Sequence, residues 1–334
     1  MLGFYRLGLG LGTVAVLGSG GFVPVLRAWL SDEIGHWGDI VRLLGGVPIR
    51  LGPADPDADF GPKLKRSDAP PLFDLIGALA RDLDIRPPEE VRLSFLPCCG
   101  VVAWGKSRAV LIGLPLLAVL DIAELKAILA HEFAHLARGD ATWSARLVRS
   151  VEILNYGLDT PDPRVRGPLR WWAALFRPWA NALLAPIAAG QEVRADRTSA
   201  VIAGGRTAAS ALVKVALVQP LFRELLAIFD QSRDASENLY ATFRRFWERL
   251  PEPLVEAMRL KLIVSAEVVA QAPHPPVGDR VARLLAYPDR ITGPGDDLPA
   301  GSLLGDAEWL EQMLHDKLYH QHPIEPTTFH AAGS

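Results

Sequence analysis

The string His131-Glu132-Phe133-Ala134-His135 places two imidazoles four residues apart with a carboxylate beside the first. On an α-helix, side chains at i and i+4 project from one face, so both rings can reach a single tetrahedral ion. The glutamate then sits over the coordination position left open. There it can take a proton from water activated by the metal and hand it to a leaving amine. With eight histidines in the chain, such a string is expected by chance in about one in a hundred sequences of this composition. Two unrelated surface histidines fit badly, because the flanking residues bury the helix.

A hydrolytic zinc site takes three protein ligands and one water, so another element must bring a His, Asp or Glu. The downstream run Gln191-Glu192-Val193-Arg194-Ala195-Asp196 offers Glu192 as that ligand. Asp196 follows one helical turn later on the same face, able to accept the free ring N–H of a ligand histidine and fix its tautomer. Alone, this pair reads as a solvated charged turn. It gains a metal role only beside the upstream histidines, and the expected cofactor is one Zn2+ per chain.

The elements that must position these residues follow from patterning. A helix is expected from Ile122 to about Arg138. Asp121 and Glu124 form a capping-box pair at its start, and Ile122, Leu125, Ile128, Leu129, Phe133 and Leu136 give one buried face. Gly139 is placed to end it. Upstream, Leu72, Leu75, Ile76, Leu79 and Leu83 have helical spacing. Val91, Leu93 and Phe95 alternate as a half-buried strand, and Val101–Trp104 with Ala109–Ile112 read as a hairpin turning at Gly105–Ser107. Trp143, Leu147, Val151 and Leu154 stripe another helix, and helical patterning resumes through 191–270.

Leu7 to Leu26 carries no charge and is flanked by Arg6 and Arg27, which meets the length needed to cross a bilayer core. We read residues 1–30 as a membrane anchor, with a cleavable signal peptide or a buried segment as the alternatives. Residues 31–70 read as a linker, rich in Pro, Gly and charge from 52 onward. A peptidase-sized domain spans 71–290, and 291–334 reads as a polar tail with one amphipathic stretch at Trp309, Leu310, Met313 and Leu314. Trp171–Gly190 is apolar but holds Arg177, Pro178 and Pro186, so an interfacial or re-entrant piece and a plain buried helix both fit. If the first segment spans, the basic run Lys63-Leu64-Lys65-Arg66 and the later arginines place the catalytic domain on the cytoplasmic side.

Composition narrows the rest. A net charge of −3 and a pI near 6.3 exclude binding to nucleic acid by phosphate neutralisation. A mean hydropathy of +0.17 is slightly greasy for a protein wholly in water, and points to lipid as a partner. The two cysteines, Cys98 and Cys99, are adjacent and cannot build a disulfide framework; they read as small apolar fillers near a strand end.

The run Glu124…His131-Glu132-Phe133-Ala134-His135…Asp140, with Glu192, Ala195, Asp196 and Arg197, resembles the membrane-associated zinc peptidases of the HtpX and CAAX-prenyl-protease type. His274-Pro275-Pro276 with Arg280 and Leu284 is similar to the terminal signature of that family. The likeness covers roughly residues 70–285. It implies a mostly helical α+β, zincin-type domain with a small sheet beside the active-site helix, and it implies peptide-bond cleavage. It also implies that an edge strand, here Cys99–Trp104, binds a polypeptide substrate in extended form. The Asn-Ala common there is replaced by Cys99-Gly100 or nearby residues, which leaves substrate preference open.

Asp140 matches the acidic residue after the second histidine, either supporting the site or acting as a turn residue. His274 has two readings, a group that stabilises the oxyanion or the start of the helix running from Pro276. The later histidines His315, His320, His322 and His330 read as a solvated tail. The activity expected is that of a zinc endopeptidase with Glu132 as general base. Its rival is a non-catalytic, zinc-holding membrane or chaperone-like protein. A closed structural site would favour four ligands and thiolates, whereas the cysteines lie outside these motifs.

Overall fold

Asp121 and Glu124 cap the histidine-bearing helix reciprocally in the computed structural model. The Glu124 N–H donates to Asp121 Oδ1 at 2.7 Å, and the Asp121 N–H donates to Glu124 Oε2 at 3.0 Å. The structure describes residues 60–104, 107–137, 186, 189–232, 237–264, 275–291 and 293–321. All of them belong to one unit, formed from Asp55–Arg146 and Ala185–Ser334.

In chain order, α1 (Pro70–Asp82) precedes three strands, β1 (Glu90–Ser94), β2 (Cys99–Trp104) and β3 (Ser107–Gly113). A short α2 (Leu114–Leu117) then leads to α3 (Ile122–Ala137), which carries the histidines. The helix over 189–203 is α4. It is followed by α5 (Gly205–Ser232), α6 (Leu239–Glu248), α7 (Glu252–Val264), α8 (Val277–Leu285) and α9 (Ala307–Asp316), with a 3-10 turn at Ala300–Leu303 before α9. The architecture is mostly helical with one small three-stranded sheet, an α+β arrangement.

The sheet order is β1-β3-β2, with β1 parallel to β3 and β2 antiparallel to it. The hairpin therefore leaves β2 at an edge, packed beside α3. Its phase is set by Gly113, whose N–H donates to the Cys98 carbonyl. Because hydrogen-bonded pairs alternate in an antiparallel ladder, Gly100 and Val102 bond inward to β3. The backbone groups of Cys99, Val101 and Ala103 then point to the open edge.

One core joins Ile76 of α1, Leu93 of β1, Ile112 of β3, Phe133 of α3, Phe222 of α5 and Phe243 of α6. Phe133, two residues from each histidine, is completely buried. Burying such a ring contributes about 1.5–3 kcal/mol and fixes the rotation of α3, so that the histidines face the opposite way. A second cluster is built on Ala127, Ala200, Ala203 and Ala208, whose small side chains let α3, α4 and α5 approach closely. Ser199 Oγ donates to the Ala127 carbonyl at 2.7 Å across that contact.

Two stretches read from sequence as lying outside the domain are part of its core. Residues 60–69, taken as linker, run beside β1. Leu64 N–H donates to Val91 O at 2.9 Å, Leu93 N–H donates to Pro62 O at 3.0 Å, and Leu64 is buried. Their Pro, Gly and charge content masks the two apolar residues, Leu64 and Ala69, that join the core. Residues 293–321, taken as a polar tail, bury Leu303, Leu310, Leu314 and Leu318. His315, read as solvated, is buried, and its Nδ1 accepts from the Leu239 N–H at 3.2 Å. The expected segments 1–30 and 143–154 lie outside the described residues, as does 171–190 apart from residue 186 and the first two residues of α4, 189 and 190. Among the described residues no helix is long and apolar enough to cross a membrane.

Candidate metal centre

The first turn of α3 is held by its cap, and its C-terminal half presents His131 and His135 from one face, as their spacing dictates. Their rings meet edge to face, with Nε2 atoms 3.4 Å apart. α4 brings Glu192, which is 4% exposed, between them. Its Oε2 is 3.5 Å from His131 Nε2 and its Oε1 is 3.6 Å from His135 Nε2. Ligand atoms on a tetrahedron with bonds of about 2.0–2.1 Å stand about 3.3–3.4 Å apart. The three separations here lie close to that figure, and two imidazoles with one carboxylate form the donor set of an open hydrolytic zinc site. Among the described residues, this is the group of His, Cys, Asp and Glu side chains able to hold a metal ion.

Behind the donors stands a buried ionic layer. Asp196 Oδ1 is 3.2 Å from His131 Nδ1, the ring nitrogen turned away from Glu192. Arg280 of α8 grips the same carboxylate with two bonds, Nε to Oδ2 at 3.0 Å and Nη2 to Oδ1 at 2.7 Å. Its Nη2 is also 3.3 Å from Glu192 Oε2. Burial alone would lift Asp196, but the hydrogen bonds with His131 and Arg280 outweigh it and hold the carboxyl below its usual range. Burial likewise works to depress His131, yet its bonds to Asp196 and then Glu192 prevail and raise it to about 9. A metal ion must displace that proton.

Glu132 is half-buried and faces β2, its Oε2 standing 3.8 Å from where a Cβ on Gly100 would lie. The two cysteines are free thiols, near enough for the Glu132 charge to bear on both. Burial foremost, and then the Glu132 charge, push Cys99 well above the ordinary thiol range, so it carries no reactive thiolate. Cys98 Sγ lies 3.1 Å from Ser94 Oγ, in keeping with a packing role.

Of the residues singled out in the sequence, His131, His135, Glu192 and Asp196 are brought together, with Glu132 beside them. Asp140 and His274 lie outside the described residues. Sequence reasoning gave Arg280 a place in a signature but no task. The available signal was its position on the apolar stripe of α8: Val281 and Leu284 are buried there, and Arg280 is buried with them at 8% exposure. A charged residue in such a stripe demands a partner. Lys214 was missed in the same way. Its Nζ donates to Glu124 Oε2 at 2.7 Å and so braces the cap of α3 from α5.

The sequence profile of peptidase family M48 matches residues 101–287, more than half of the chain, taking in β2 from Val101 onward, α3, Glu192, Asp196 and Arg280. No solved structure matches the chain. With its matched span and its site geometry in agreement, the chain belongs to peptidase family M48, the metallopeptidases of the HtpX and CAAX-protease type.

Proposed function

We propose that this metallopeptidase is a zinc-dependent endopeptidase associated with a membrane, cutting polypeptide held in extended form. The observation that carries the reading is the near-equal spacing of His131 Nε2, His135 Nε2 and the Glu192 carboxylate, 3.4, 3.5 and 3.6 Å. His131, His135 and Glu192 would hold the zinc ion, which would supply Lewis acidity to polarise a carbonyl and acidify water. The remaining steps belong to the chain. Glu132 accepts a proton from the attacking water on its carboxylate and delivers it to the nitrogen of the departing amine. Asp196 keeps the His131 proton on Nδ1, which leaves the Nε2 lone pair for the ion. No side chain bonds covalently to substrate.

The open edge of β2 supports the substrate class. Outward backbone groups of Cys99, Val101 and Ala103 offer an extended peptide a ladder to join, beside Glu132. Such binding reads backbone rather than side chains and tolerates many sequences. Membrane association rests on the uncharged run Leu7–Leu26 between Arg6 and Arg27. The basic residues 63–66 support a catalytic domain on the cytoplasmic side.

Metal analysis of the purified full chain tests the reading. One zinc per chain is expected, together with casein cleavage that a chelator stops and added zinc restores. Glu192→Ala should lose zinc. Full zinc occupancy in that variant would move the third ligand elsewhere, and a wild-type chain with no zinc would end the proposal. Protease accessibility in sealed vesicles tests the topology; a chain released from the vesicles by alkaline washing would contradict the anchor.

A further inference from the structure

We infer that residues 288–291 and 293–300 form a strap that sets the register between the two ligand-bearing helices, with Arg290 and Asp296 as its positioning residues. The inference rests on the zinc-site reading above and lies outside the span matched by the family profile, which ends at residue 287.

The strap has two anchors. The first grips the junction of α4 and α5. Arg290 Nη1 donates to the carbonyls of Val201 and Ile202 at 3.2 and 2.8 Å, capping the C-terminal end of the helix that carries Glu192. Pro288 O accepts from the Gly205 N–H at 3.2 Å, and Asp289 Oδ1 accepts from the Arg206 N–H at 3.1 Å, so the same few residues also cap the start of α5. The chain is built to admit this contact. Gly204 has φ +92, and a Cβ there would stand 2.6 Å from Arg290 N; a Cβ on Gly205 would stand 2.5 Å from Tyr287 O.

The second anchor grips the start of α3. Asp296 O and Leu298 O accept from the N–H groups of Ala123 and Ile122 at 2.9 and 3.0 Å, and Ala300 N–H donates to Leu120 O at 2.8 Å. The Asp296 carboxylate pairs with Lys126 and also accepts from the Gly293 N–H at 2.8 Å, folding the strap back on itself. Orphan amides of the histidine helix and orphan carbonyls of the glutamate helix are thus satisfied by one short length of chain. Sliding α3 along α4 would break one set or the other, so the strap fixes the axial offset at which Glu192 meets His131 and His135.

The test uses the full-length protein, with zinc affinity read by competition against a chromophoric chelator and thermal stability read alongside. The first variant inserts Gly-Ser-Gly-Ser between Ile291 and Thr292, leaving both anchors intact but uncoupling them. Zinc affinity should fall about ten-fold, the range seen when groups supporting a metal ligand are lost, while Tm stays near wild type. Arg290→Ala should lower affinity in the same direction, and Arg290→Lys should recover part of it. Unchanged affinity in the insertion variant, or a drop in Tm with affinity intact, would overturn the strap. Should the insertion prevent folding, the Arg290 pair decides by the same criteria. Failure of the zinc reading would show separately, as absence of zinc binding in the wild-type chain.

Discussion

Arg280 and Asp196 share two hydrogen bonds, of 3.0 and 2.7 Å, and through them a helix near residue 280 fixes a histidine near residue 131. Asp196 hands the constraint on, its Oδ1 lying 3.2 Å from His131 Nδ1. The guanidinium also lies 3.3 Å from Glu192 Oε2, so one cation faces two carboxylates that are both below 5% exposure.

Removing that cation should be costly. Arg280→Met leaves two buried carboxylates facing each other, and loss of one partner of a buried pair costs about 3–5 kcal/mol. Chemical denaturation should show a loss in that range with weaker zinc binding. Arg280→Lys keeps the charge but not the fork, so it should fall between the two.

Asp196→Asn tests the support of His131 separately from charge burial. The amide is nearly isosteric, but it cannot hold the Nδ1 proton as a carboxylate does. Zinc affinity should fall about 10–100-fold. Chelator competition would measure it, and unchanged affinity would remove Asp196 from the site.

Gly100 should tolerate a methyl group and reject a larger side chain. A Cβ there would meet, among the described residues, only Glu132 Oε2 at 3.8 Å, an ordinary contact. Gly100→Ala should keep stability and zinc content, whereas Gly100→Leu should keep zinc but lose turnover on a peptide substrate by crowding the space over Glu132. Equal kcat/KM in the leucine variant would mean that substrate does not pass beside β2.

Deleting residues 306–334 should unfold the domain. The deletion removes Leu310, Leu314 and Leu318, all at or below 4% exposure. Each contributes about 1.5–3 kcal/mol, together comparable to the whole margin of a typical domain, about 5–15 kcal/mol. Circular dichroism of the shortened chain would check it; a cooperative melt near the wild-type Tm would contradict the packing of α9.

Local signals made much of this legible. The reciprocal cap of Asp121 and Glu124 and the apolar stripe through Phe133 marked α3, because both rest on contacts three or four residues apart. Glu192 and Asp196 were legible for the same reason, one turn apart on a helix. What stayed hidden depends on long-range partners. Arg280 meets Asp196 across 84 positions, and Leu64 earns its burial from β1 rather than from its neighbours. The stretch 293–321 reads as polar because its apolar residues are sparse. Five leucines at the right places, Leu303, Leu304, Leu310, Leu314 and Leu318, still suffice to bury it.

The most direct test is Glu132→Gln, assayed for bound zinc and for peptide cleavage in one preparation. The amide cannot take the proton from water, while His131, His135 and Glu192 are untouched. The account predicts one zinc per chain, as in the wild type, with peptidase activity abolished. Turnover at the wild-type rate would contradict it.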